Sequence, residues 1–192
     1  MRPRPGPYRF DLLKLGGQMK VINSPKETYE RFIEFEERAA TIYVCLASWF
    51  ASENPELGAF WLDMAMEEKQ HAVLLEFCVA EKWFAPNLPG DTEIRKFAAG
   101  FREFGKRATA GRLTRDEAFA LAAELEGSEV NAIYSRLTTP LHESLYLLKK
   151  KIVTSPFDHI GQLVEAGKKF NVSPATIKKL DQLKEISAKA LG

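Results

Sequence analysis

The sequence predicts an all-α fold, an antiparallel four-helix bundle with a connecting helix between its two hairpins and an extra helix at the C-terminus. Apolar side chains recur every three or four residues through most of the chain, which is the period of an amphipathic helix. Several of these periodic segments begin with a capping serine, threonine or asparagine. The valine, isoleucine and tyrosine residues follow the same spacing, so no segment is predicted to be a β-strand.

The composition bounds the architecture and the class of partner. A chain of 192 residues is long enough for one domain with a full core. Its 27 lysines and arginines nearly balance its 26 aspartates and glutamates, which argues against nucleic acid or an anionic membrane as the main partner. No stretch approaches the ~20 consecutive apolar residues of a membrane span, and the N-terminus makes a poor signal peptide. We therefore expect a cytoplasmic protein without a nucleic-acid or membrane partner.

The chain divides into three predicted segments. Residues 1–21 contain the run Arg2-Pro-Arg-Pro-Gly-Pro7, which cannot pack as a helix and predicts a flexible arm. Residues 22–170 carry the periodic pattern of the bundle. Residues 171–192 hold a more polar helix that we expect to lie outside the main core.

The first hairpin has the clearest helix boundaries. Ser24-Pro-Lys-Glu27 combines a capping serine, a proline at the first helical position and a capping-box glutamate, and predicts a helix to about Ala51. Asn54-Pro55 repeats the cap and proline and predicts a second helix to about Trp83.

A connecting helix and the third bundle helix follow. The connecting helix is predicted over residues 91–106. The third bundle helix is expected to begin at Thr114, with Glu117 completing the cap, and to run to about Leu137. It would do so despite Gly127, which costs about 1 kcal/mol relative to alanine.

The fourth bundle helix is predicted from about Leu145 to Leu163, with Pro156 inside it. Because proline interrupts a helix and residues 155–158 have the composition of a helix start, this helix is expected to be kinked or split in two. The last helix, capped by Ser173, is predicted over residues 175–190.

Two polar residues of the second predicted helix lie on its apolar stripe. Between Met64 and Leu75 the stripe contains Glu68 and His71, three residues apart and therefore on the same face. Burying a carboxylate is costly unless something compensates its charge. A metal ion is one such compensation.

The first predicted helix repeats this anomaly at Glu36. Counted from Glu53 in the turn, Glu36 lies 17 residues back and Glu68 lies 15 residues forward. At about 1.5 Å per residue, both stand about 23 to 26 Å from the same end of the hairpin. We expect the two carboxylates to meet at one level.

The second hairpin supplies further candidates. Glu126 lies on the stripe of the third predicted helix with Glu129 beside it, and His159 lies on the stripe of the fourth. For His159 to stand level with Glu126, the turn between these helices must be centred near Leu141 or His142.

This set of residue types favours a particular class of metal. Iron and manganese ions bind carboxylate oxygen and imidazole nitrogen, and a pair of ions needs several carboxylates and one or two histidines from facing helices. A lone Glu-x-x-His is a weak signal. Its combination with a carboxylate at the same level and a third internal acid is a stronger one.

Three motifs of the first hairpin resemble the rubrerythrin branch of the ferritin-like superfamily. They are Glu36-Glu-Arg-Ala-Ala-Thr-Ile-Tyr43, Asn54-Pro-Glu-Leu57 and Glu67-Glu-Lys-Gln-His71-Ala72. The resemblance covers residues 29–77 well and about 117–163 loosely. It implies a di-iron bundle, usually dimeric, that reduces peroxide or oxidises iron with oxygen.

The resemblance also implies roles for individual residues. Tyr43 would donate a hydrogen bond to a ligand or relay an electron in catalysis, and one or two iron ions would be bound, with manganese or zinc as alternatives. The metal ligands would be Glu36, Glu68 and His71 from the first hairpin, Glu126 or Glu129 as the carboxylate of the third bundle helix, and His159 as the imidazole of the fourth.

The chain departs from the family pattern at two points. The family repeats Glu-x-x-His on the fourth bundle helix, but Pro156 stands three residues before His159. Cys45 and Cys78 form no Cys-x-x-Cys pair, so no rubredoxin-type iron site is encoded and turnover would need an external electron donor.

Blander interpretations remain open for each candidate. Glu68 and His71 alone would make a buried salt bridge, and His159 a core histidine. His142 is expected to be exposed or capping, and Tyr43 and Tyr134 are also compatible with core packing. A bundle whose second site has decayed, kept as a scaffold or dimerisation module, and an iron storage or delivery protein are the alternatives to an enzyme.

Overall fold

A computed structural model describes residues 22, 24–128, 137, 147 and 156–189. The described residues form six helices and contain no strand, which confirms the all-α prediction. None of the described helices combines the length and the apolar composition needed to span a membrane. The predicted arm over residues 1–21 and most of the predicted fourth bundle helix before Pro156 lie outside the described residues.

The first hairpin consists of α1 (Pro25–Phe50) and α2 (Pro55–Ala80). The side chain of Ser24 accepts a hydrogen bond from the Glu27 amide at 3.2 Å, and that of Asn54 accepts one from the Leu57 amide at 3.0 Å. Both helices carry proline in the first turn, where the missing amide hydrogen costs nothing. The two predicted starts are therefore confirmed, and the short turn over residues 51–54 reverses the chain.

Two further helices, α3 (Asp91–Thr109) and α4 (Arg115–Glu126), continue the chain. Asp91 forms an ion pair with Arg95 in the first turn of α3 at 2.6 Å. The cap of α4 is the predicted capping box: the Thr114 hydroxyl accepts from the Glu117 amide, and the Glu117 carboxylate accepts from the Thr114 amide.

The end of α4 differs from the prediction. The helix ends at Glu126, with Gly127 and Ser128 in a turn, whereas the pattern predicted a helix to about Leu137. Glycine is the weakest helix former after proline. In addition, a Cβ atom at Gly127 would lie 2.7 Å from Cδ1 of Leu183, so a distant part of the chain packs against this point.

The last two helices are α5 (Pro156–Lys169) and α6 (Pro174–Lys189). α5 is described from Pro156 onwards, and residues 148–155 of the predicted fourth bundle helix lie outside the described residues, so its kinked and split forms both stay predictions. Asn171, in the left-handed region with φ of 54°, turns the chain between α5 and α6.

The helices pack around an aromatic-rich core. α1 lies along α2, α3 packs on α1, and α5 packs against both α4 and α6. Phe35 of α1 stacks on Phe101 of α3, and Trp61 of α2 lies against Phe119 of α4. The helices that carry the candidate acids and histidines, α1, α2, α4 and α5, thus surround a common interior.

Candidate metal centre

Five of the predicted site residues are buried. The exposed fractions of Glu36, Glu68, His71, Glu126 and His159 lie between 0% and 3%. They come from four helices, and burial of this many ionisable groups has a large desolvation cost unless their charges are matched. Their mutual positions therefore decide what the cluster does.

The first hairpin forms one half of the cluster. Nδ1 of His71 lies 3.1 Å from Oε2 of Glu68 and 3.8 Å from Oε2 of Glu36. The contact between Glu68 and His71 is the i,i+3 pair expected on one helix face. Glu36 reaches the same imidazole from α1, so the two carboxylates meet at one level, as the residue count predicts.

The second half joins α4 and α5 to the same place. Nδ1 of His159 lies 3.3 Å from Oε2 of Glu126 and 3.5 Å from Oε1 of Glu68. His159 therefore stands level with Glu126.

Glu68 belongs to both halves. Its Oε2 faces His71 and its Oε1 faces His159, and the two imidazole rings lie 5.1 Å apart with 20° between their planes. In each half, one ligand atom from each of three residues lies within 4.8 Å of the others. The two groups that could hold an ion are Glu36, Glu68 and His71, and Glu68, Glu126 and His159.

Tyr43 adjoins the second half. Its hydroxyl donates a hydrogen bond to Oε1 of Glu126, and its ring stacks on Trp61 with centroids 5.9 Å apart. Burial, followed by the negative charges of Glu126 and Glu68, raises the pKa of Tyr43 well above its usual value of 10. The phenol therefore stays protonated and acts as a donor.

Glu67 also contacts the cluster, through His159, although the sequence analysis did not single it out as a site residue. Its Oε2 lies 2.6 Å from Nε2 of His159, an ion-pair contact that does not have hydrogen-bond geometry. Nε2 of Gln162 lies 3.2 Å from both oxygens of Glu67. Both residues are only partly buried and flank the apolar stripes, so the stripe criterion passes over them. Their signal is proximity in sequence: Glu67 precedes Glu68, and Gln162 follows His159 by one turn.

The charges inside the cluster strongly perturb one another. Burial and the charge of Glu126 raise the pKa of Glu68 to about 8, although the hydrogen bond from His71 opposes them. Burial by itself would lower the pKa of His71, but hydrogen bonds and charges from Glu36 and Glu68 outweigh it and raise that pKa to about 10. The cluster holds three carboxyl groups and two imidazoles, so its acids outnumber its bases by one.

His159 and Glu67 follow the same logic. Burial opposes a charged imidazole, yet the charge and hydrogen bond of Glu126, with help from Glu67 and Glu68, raise the pKa of His159 well above 6.5. Burial favours the neutral form of Glu67, but His159 outweighs it and lowers the pKa of that carboxyl below 4.5.

The donor set fits a borderline divalent cation. Oε1 of Glu36 is buried without a hydrogen-bond partner, so it has lone pairs to offer. Among the described residues, the ion pairs of Glu36 and Glu68 are with histidine alone, and neither acid pairs with lysine or arginine. Carboxylate oxygen and imidazole nitrogen are the donors that suit iron, manganese and zinc.

Glu129, Tyr134 and His142 lie outside the described residues. Comparisons of the chain with protein-family models, with curated proteins and with solved structures found no match.

Proposed function

We propose that this chain is a rubrerythrin-like protein of the ferritin-like superfamily, a four-helix bundle that binds two metal ions, most suitably iron. The observation that carries the proposal is that two buried groups of acid and imidazole share one carboxylate, Glu68. A carboxylate can bridge two cations because its charge is divided between them.

Each ion has a proposed set of ligands from this chain. Glu36, Glu68 and His71 would hold one ion, and Glu68, Glu126 and His159 would hold the other. Glu129 remains a proposed addition to the second set. When bound, a pair of iron ions would supply two electrons for the reduction of peroxide or dioxygen.

The protein's own side chains would set the conditions for that chemistry. Tyr43 keeps a proton at Oε1 of Glu126, beside the proposed second ion. Trp61 and Phe119 are fully buried and in contact with each other, and Trp61 stacks on Tyr43. These rings would keep water away from the proposed site on the side of Tyr43. The proposal includes a homodimer and an external electron donor, both of which the family resemblance implies.

The alternative function is a bundle that binds one ion or none and serves as a scaffold, with iron storage or delivery as a further possibility. Pro156 favours the scaffold, because it stands three residues before His159, where the family carries a glutamate on the fourth bundle helix. His159 nevertheless contacts Glu126 and Glu68, so the second group retains three donors.

Elemental analysis of the protein tests the proposal. The chain is expressed in iron-supplemented medium, purified without added metal, and compared with Glu68→Ala and with Glu76→Ala, which removes an exposed acid from the same helix. We expect two ions per chain in the wild type and in the control, and fewer than one in Glu68→Ala. One ion in the wild type would favour the degenerate bundle, and none in all three proteins would refute metal binding.

Catalysis needs a separate measurement. The iron-loaded, reduced protein is mixed with hydrogen peroxide in the presence of a chemical reductant, and peroxide consumption is compared with that of Glu68→Ala. We expect consumption many times faster in the wild type. Stoichiometric iron binding without peroxide turnover would leave iron storage or a structural role as the function. Sedimentation of the same samples separately tests whether the protein is a homodimer.

A further inference from the structure

The two ring nitrogens of His159 face different acids. Nδ1 lies 3.3 Å from Glu126 and 3.5 Å from Glu68, whereas Nε2 lies 2.6 Å from Glu67. Because the two nitrogens of an imidazole point away from each other, Glu67 lies across the ring from the acids that share Nδ1. A cation bound at Nδ1 would therefore not have Glu67 as a ligand.

Glu67 is itself held from the other side. Gln162, one turn after His159 on α5, places its amide nitrogen 3.2 Å from each oxygen of Glu67. The side chain of Glu67 is 17% exposed, while that of His159 is 0% exposed. The carboxylate thus keeps contact with solvent, which lowers the cost of its charge, and still reaches a fully buried ring.

This arrangement has a definite use in a metal site. An imidazole that binds a cation through one nitrogen must carry its hydrogen on the other nitrogen. A carboxylate that accepts this hydrogen fixes the tautomer and the ring orientation and makes the ligating nitrogen more basic.

We propose that Glu67, held by Gln162, is a positioning residue for His159. Its 2.6 Å contact with Nε2, which lacks hydrogen-bond geometry in this structure, would become a hydrogen bond when Nδ1 binds the second cation. This inference rests on the proposed function, because it requires a cation in the group of Glu68, Glu126 and His159. It gives Glu67 and Gln162 a role that their partly buried positions beside the apolar stripes do not predict.

Zinc binding to the full chain provides the test, since zinc is redox-inert and suits the same donors. Glu67→Ala, Glu67→Gln and the surface control Glu76→Ala are titrated with Zn²⁺ against a chromophoric chelator. We expect two ions per chain in all four proteins, with one of the two affinities reduced about 10- to 100-fold in Glu67→Ala. Glu67→Gln should lie between Glu67→Ala and the wild type, because its amide oxygen can still accept from Nε2.

A second readout reports on the ring itself. In zinc-loaded protein with ¹⁵N-labelled histidine, the Nε2–H of His159 should give a resolved, slowly exchanging signal in the wild type. The signal should broaden or vanish in Glu67→Ala and persist in Glu76→Ala. Removing a residue with only a structural role would not selectively change the rate at which the Nε2–H of His159 exchanges with solvent.

Three results would overturn the inference. Loss of one whole ion in both Glu67 variants would make Glu67 a ligand. Unchanged affinities and an unchanged Nε2–H signal in Glu67→Ala would leave it without a role at the site. A wild-type chain that binds no zinc would refute the proposed function as well, so this failure is distinguishable from the other two.

Discussion

Tyr43 shows how one hydrogen bond can tie the core to the candidate site. Its hydroxyl donates to Glu126, and its ring stacks on Trp61. We expect Tyr43→Phe to lower the free energy of unfolding by about 1.5–3 kcal/mol, because a buried, charged acceptor loses a donor. Urea denaturation measures this change. Metal content should remain at two ions per chain, and loss of an ion would show that Tyr43 positions Glu126 for binding.

Tyr29 predicts a pH dependence away from the site. Its hydroxyl donates to the carbonyl of Leu137 and accepts from the amide of Ala85, both at 2.9 Å. Burial raises its pKa from 10 to about 12, although the hydrogen bond from Ala85 opposes the shift. The unfolded chain therefore releases this proton at lower pH than the folded protein does, and stability falls as pH rises from 10 to 12.

The matched variant Tyr29→Phe isolates this effect. Between pH 10 and pH 12 the free energy of unfolding should fall more steeply in the wild type than in Tyr29→Phe, as followed by denaturant titration. Equal slopes would mean that Tyr29 ionises normally in the folded protein.

At single positions, the burial of a side chain was easier to predict from the sequence than the residues that it contacts. Glu36, Glu68 and Glu126 were predictable because an acid on an apolar helix stripe conflicts with its surroundings wherever the partner lies. Glu67 was not, since its contact with His159 depends on how α5 packs against α2. No local pattern in α2 encodes that packing.

Among the helices, the hairpin of α1 and α2 sets the level at which Glu36 meets Glu68. A Cβ atom at Gly58 would lie 2.7 Å from the Cα atom of Ala51, so glycine is needed where α2 starts beneath the end of α1. Backbone cannot move aside as a flexible side chain can. We expect Gly58→Ala to destabilise the protein by about 1–3 kcal/mol, the usual cost of overpacking.

Gly100→Ala provides the control for this prediction. Gly100 lies within α3, and an added Cβ atom would meet only Cε2 of Phe104 at 3.8 Å, an ordinary contact. Because alanine favours a helix by about 1 kcal/mol over glycine, this variant should be as stable as the wild type or more stable. Thermal unfolding compares the two, and equal destabilisation would show that loss of glycine, not crowding at Ala51, is responsible.

Helix starts were predictable from sequence and the end of α4 was not, for related physical reasons. A cap such as Thr114 with Glu117 satisfies backbone groups within four residues, so its signal is local. The end of α4 at Glu126 coincides with the approach of Leu183, which is 56 residues beyond Gly127. The apolar periodicity alone predicted that α4 continues through Gly127. In the structure α4 ends before Gly127, at the point where Leu183 packs against it.

Across the whole molecule, the candidate site is where four helices meet. Glu36 from α1, Glu68 from α2, Glu126 from α4 and His159 from α5 converge on one buried cluster. Removing these charges from water opposes folding. Two protonated histidines can match the charge of only two of the three buried carboxylates. A pair of cations would compensate the remainder and cross-link elements that are far apart in sequence.

Cation binding should therefore stabilise the folded chain as a unit. A ligand that binds only the folded state adds about 2.7 kcal/mol when its free concentration is 100 times its Kd. For a chain of this size each kcal/mol raises Tm by about 2–4 °C, so saturating Zn²⁺ should raise Tm by about 5–11 °C for each ion that is bound. A chelator should reverse the rise in Tm. Mg²⁺ at the same concentration should raise Tm only slightly, because it prefers oxygen ligands and keeps its waters.

In Glu68→Gln the rise in Tm caused by Zn²⁺ should fall by at least half, since the shared carboxylate is gone while the side chain keeps its shape. A wild-type Tm that is indifferent to zinc would mean that protons and histidines alone balance the buried acids, and that the cluster is a salt-bridged core.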